Sequence, residues 1–145
     1  MQISPVSTQE TTVGWPTTVP GAYGFYSGDV YQTNGIAIID FTSVPPNPTD
    51  WTWADVVFSL QPPVGNFKTQ KGFLVSCTVS ATPSSFDVVS NLDPKQTIGW
   101  AVNYATAVWD QPSNKVNVTI GLAVKTKYSE VLRVAYQVTT FARTT

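Results

Sequence analysis

Two stretches in the last third of the chain constrain the fold most: Val116, Val118, Ile120, Leu122 and Val124, then Leu132, Val134, Tyr136 and Val138, each apolar at every second position. Side chains that must reach a core at that interval sit on pleated strands. Residues 72–82 repeat the pattern, with Phe73, Val75, Cys77, Val79 and Ala81 on one side and Leu74, Ser76, Thr78 and Ser80 on the other. Residues 97–109 read as a strand of about 13 residues, roughly 40 Å long. Its core face is expected to carry Ile98, Trp100, Val102, Tyr104 and Val108. With polar turns at 110–114 and 125–129, the three C-terminal strands are expected to form an antiparallel meander.

The first half is punctuated rather than periodic. Eleven prolines break most windows in which a helix could grow. Residues 50–60 come nearest to a helical face through Trp51, Ala54, Val57 and Phe58, but the run Val56, Val57, Phe58 favours a strand. Asn34-Gly35, between 29–32 and 36–41, predicts a hairpin, because both residue types tolerate positive φ. Residues 1–20 show no hydrophobic period and read as an extended N-terminal arm, leaving 21–145 as the folded domain. A chain of 145 residues suits one domain. The expectation is an all-β fold, a single antiparallel β-sandwich of jelly-roll winding, with seven to nine strands in the usual spacing of such folds.

The chemistry open to this chain is narrow. It has no histidine, so Ser-His-Asp and Cys-His nucleophile systems and histidine metal ligands are excluded. Charged residues are 12% of the chain, about half the usual share. The net charge of −1 offers no basic stripe for nucleic acid. The single cysteine, Cys77, belongs to an apolar alternating series and reads as a small buried hydrophobe. Asp50 and Asp55 flank Trp51 and Trp53, but a carboxylate in the Pro-rich loop at Asp50 is an ordinary turn residue. No Asp-x-Asp calcium spacing or glycine-rich phosphate loop occurs. The expectation is a non-enzyme without cofactor or metal. No signal peptide pattern and no apolar run of about 18 residues is visible. Asn117-Val118-Thr119 matches the glycosylation acceptor pattern, inside a predicted strand.

What remains are aromatics outside the regular core faces: Trp15, Tyr23, Phe25, Tyr26, Trp51 and Trp53, with Asp50 and Asp55 beside the last two. Such residues supply large contact area at small entropic cost. The first reading is a structural protein that works by assembly, as a homo-oligomer (trimer or dimer) and against another structural protein. A charge-poor jelly roll with a terminal arm resembles, in composition, virion accessory proteins. That resemblance implies a decoration, cement, capsid or tail role and a virion or extracellular location. The alternative is a carbohydrate-binding module, a small β-sandwich lectin using the same aromatics with Asp50 and Asp55. A membrane-active toxin is disfavoured by the slightly acidic balance.

Overall fold

The computed structural model describes residues 2–21, 23–40, 51–60, 75–88, 99–110, 112–113, 115–125 and 130–143. Among these, eight strands follow one another: β1 (Gln2–Ile3), β2 (Ser7–Gly21), β3 (Gly24–Asp40), β4 (Thr52–Ser59), β5 (Val75–Val88), β6 (Gly99–Asp110), β7 (Lys115–Lys125) and β8 (Glu130–Arg143). They form two four-stranded sheets packed on each other, β1-β4-β7-β6 (sheet A) and β2-β3-β8-β5 (sheet B). The pairing is antiparallel except for the short β1–β4 ladder. The all-β sandwich is therefore as the sequence predicts. Within it, consecutive strands pair side by side twice, as β2–β3 and β6–β7.

The strictly alternating segments take the central places. Val116, Val118, Ile120, Leu122 and Val124 of β7 meet Leu132, Val134, Tyr136 and Val138 of β8 across the interior, joined by Ala54 and Val56 from β4 and Ala37 and Ile39 from β3. Ile39, Ile120, Leu122 and Leu132 are wholly buried, each contributing about 1.5–3 kcal/mol relative to exposure. Cys77 packs at the margin of this core with Val79 and Ala81, and burial pushes its thiol pKa up.

Four expectations are corrected. The meander does not form, because β7 is flanked by β4 and β6 while β8 lies in the other sheet between β3 and β5. Two strands whose apolar faces both point inward satisfy each other across the sandwich rather than side by side. The arm expected over residues 1–20 does not stand off where the structure describes it: Gln2 and Ile3 pair with Asp55 and Val56, and all 15 residues of β2 pair with β3. The segment lacks a hydrophobic period because its inward positions are polar and satisfied, Thr12 by Thr33 at 2.9 Å and Glu10 by Tyr136 at 2.6 Å. Pro16 and Pro20 fit there because β2 is an edge strand.

The hairpin predicted at Asn34-Gly35 is absent, and β3 runs straight through it. Asn34 lies between Thr11 and Gln137, and Gly35 between Glu10 and Tyr136. Gly35 is there for clearance, since a Cβ would run into the Tyr136 ring. The real turn closes β2 onto β3 with Gly21 opposite Gly24, whose φ of 126° requires glycine. Finally, Tyr104 and Val108 do not face the core. A register shift between Val102 and Tyr104 inserts one residue, so inward facing passes from Val102 to Ala105, Ala107 and Trp109. Tyr104 and Val108 are left exposed, as is Trp100 near the strand's start.

Gly35 belongs to a brace across three strands. The Tyr136 ring crosses the glycine, packs against Phe58 at 5.0 Å between centroids, and donates its hydroxyl to Glu10 on the edge strand. Burial, and then the bond to Glu10, raise the Tyr136 pKa well above its ordinary value of 10.0. The native state thus holds this proton more tightly than the unfolded chain. Its contribution is intact below about pH 10 and is lost as pH rises beyond that. Urea melts from about pH 8 to about pH 11 should show stability falling above pH 10 less steeply in Tyr136→Phe than in the wild type. Parallel curves would assign the alkaline loss to other groups.

Candidate functional site

The sequence-derived candidates fall on two separate parts of the sandwich. Trp15, Tyr23, Phe25 and Tyr26 lie on or at the tip of the β2–β3 hairpin, in sheet B. Trp53 and Asp55 lie on β4, in sheet A, with Trp51 half-buried just before that strand. Asp50 lies outside the described residues.

The hairpin outruns its sheet. The β3–β8 ladder ends at Gly28 opposite Arg143, whereas β2 and β3 continue as Thr18↔Ser27, Val19↔Tyr26, Pro20↔Phe25 and Gly21↔Gly24. Among the described residues this end is a two-stranded ribbon with no third strand beside it. Tyr23 at its turn is 97% exposed and Phe25 76%. Further down the same edge, Val13 and Trp15 are also exposed. The ribbon forms because Gly24, at positive φ, allows the reversal, and the backbones of Thr18, Val19 and Pro20 pair with those of Ser27, Tyr26 and Phe25.

On the outer face of sheet A a second brace mirrors the buried one. The Tyr104 ring lies across Gly121 and its hydroxyl donates to Asp55, so Asp55, Gly121 and Tyr104 occupy one row over β4, β7 and β6. The bond to Asp55 raises the Tyr104 pKa. Trp53, exposed, stands one row away opposite Ala123. Two exposed aromatics thus stand in neighbouring rows over Gly121 and Ala123, with the Asp55 carboxylate already engaged by the phenol. Asn117 accepts a hydrogen bond from Ser59 at 2.7 Å on the same face, as a paired strand residue. At the end of β6, the Ser113 amide donates to Asp110 at 3.3 Å, closing the predicted turn.

Tyr104 is the surface aromatic that sequence periodicity misplaces, because the bulge that turns it outward leaves no signature in the residue types. Among the described residues there is no group of three or more His, Cys, Asp or Glu placed to hold a metal ion. Nor is any helix long and apolar enough to cross a membrane. No family model, curated protein or solved structure matches this chain.

Proposed function

We propose that this chain is a non-enzymatic assembly protein of the virion-accessory kind: a decoration, cement, capsid or tail component acting through protein–protein contacts in a particle or outside the cell. It works as a closed homo-oligomer, a dimer or trimer, seated on another structural protein. The observation that carries this reading is the projecting ribbon with Tyr23 and Phe25 bare at its tip. An isolated two-stranded ribbon is marginal in water, and large exposed rings mark contact surfaces. The long edge of β2 supports it too. It carries no Lys or Arg, and its one acid, Glu10, is bonded to Tyr136. An edge so lightly guarded by charge invites pairing.

Light scattering across a dilution series tests this directly. A mass of two or three chains that persists into the low-micromolar range is expected. A monomer at every concentration, with no binding to a structural protein of its source particle, would overturn the reading. The second reading, a carbohydrate-binding module at Trp53 and Asp55, is favoured by Trp53 and Tyr104, both exposed on the outer face of sheet A, and loss of glycan binding in Trp53→Ala is its test.

A further inference from the structure

We infer that the outer face of sheet B binds a neutral oligosaccharide, at a site distinct from both the ribbon tip and the exposed aromatics of sheet A. Two rows of residues run across all four strands: Gln9, Ile36, Ala135 and Thr82, then Thr11, Asn34, Gln137 and Ser80. They floor a shallow, open depression of about 610 Å³ on the sheet face.

The chemistry of the lining selects the ligand. Gln9, Thr11, Asn34, Ser80, Thr82 and Gln137 are all exposed, and each offers both a donor and an acceptor. Sugar hydroxyls need that combination. No charged side chain stands in these two rows: the one acid among the lining residues, Glu10, is turned inward to Tyr136, and Arg133, in the next row opposite Ile38, is engaged by a partner of its own. A phosphate or carboxylate ligand would require Arg or Lys here, and a cationic one would require acids. Between the polar groups, Ile36 and Ala135 present methyl groups suited to the C–H face of a pyranose.

The face extends past the depression. Two rows further along come Trp15, Val30 and Phe141, with Trp15 four residues beyond Thr11, about 13 Å away along an extended strand. Its exposed ring provides a stacking platform for a later unit of the same glycan. The occupant is therefore an extended neutral oligosaccharide lying along the strands.

Calorimetric titration of the full chain with gluco-, xylo-, manno- and galacto-hexasaccharides, and with an oligogalacturonate as acidic comparison, tests the site. Saturable binding of at least one neutral oligomer is expected. Asn34→Ala with Gln137→Ala should weaken it about tenfold or more, and Ala135→Arg should abolish it by laying a long side chain across the depression. Trp15→Ala should weaken hexamers but not disaccharides. All these positions are at the surface, and thermal melts of each variant check that the fold is kept. Binding confined to the acidic oligomer, no saturable binding to any neutral one, or binding that Trp53→Ala removes and the Asn34/Gln137 pair leaves intact would each overturn the proposal. None of these outcomes depends on whether the chain self-associates.

Discussion

Gly35→Val is expected to cost about 3 kcal/mol, while Gly121→Val, at the matching place in the other sheet, stays within about 1 kcal/mol of the wild type. A Cβ at either glycine would meet a tyrosine ring at a separation no real side chain shows. The outcomes differ because the rings differ in freedom. Tyr136 is 3% exposed, packed on Phe58 and bonded to Glu10, and the new Cβ would also lie 2.9 Å from the Gln9 carbonyl oxygen. It has nowhere to go, so the strands must part. Tyr104 lies on the outer face, 44% exposed, and can swing into water, giving up only its bond to Asp55. The valine then gains the strand preference that glycine lacks. For a chain of this length 3 kcal/mol is a fall in Tm of about 6–12 °C. Equal losses in the two variants would show that the aromatic-over-glycine contacts do not set the stability of these rows.

Removing the ribbon should separate folding from assembly. In a variant with residues 19–26 replaced by Asn-Gly, Thr18 and Ser27 become the last pair before a two-residue turn. The deleted side chains that the structure describes, Pro20, Tyr23 and Phe25, are exposed and outside the buried core. Thermal stability of the shortened chain should thus stay within a few degrees of the wild type, while its mass by light scattering falls to that of one chain. A shortened chain that still assembles would move the contact to the edge of β2 or to a sheet face. One that fails to fold would show the ribbon to be part of the sandwich's own nucleus, and substituting Tyr23→Ser with Phe25→Ser then isolates the contact.

Where a segment alternates, the sequence was enough: β7 and β8 could be read to within a few residues because Val116, Val118, Ile120, Leu122 and Val124, then Leu132, Val134, Tyr136 and Val138, recur at every second position and are buried. β4 was legible through Val56, Val57 and Phe58 despite its competing helical spacing. β2 was illegible for a physical reason. Glu10 and Thr12 point toward the sandwich interior and are stabilised by particular partners rather than by apolar area, so its strand character depends on Thr33 and Tyr136, more than twenty and more than a hundred residues away. Asn34-Gly35 misled because glycine serves two purposes, reversal and clearance, and only the partner strand tells them apart. In β6 a one-residue bulge reversed the facing of everything after Val102, which made Tyr104 and Val108 look like core. Of the candidate aromatics, those on the hairpin and β4 were named from their irregular settings. The neutral depression of sheet B escaped notice because hydroxyls and amides scattered along four distant segments acquire meaning only when registered side by side.

The brace formed by Glu10, Gly35 and Tyr136 also answers a problem of address. A strand such as Thr-Gln-Glu-Thr-Thr-Val offers nearly equivalent alignments when it slides by two residues, since the same faces stay inward and the same backbone bonds re-form. Only one alignment sets the acid beside the glycine that the phenol can cross. The chain has two glutamates, and this one works as a locating pin that tells an otherwise ambiguous polar edge where to stop.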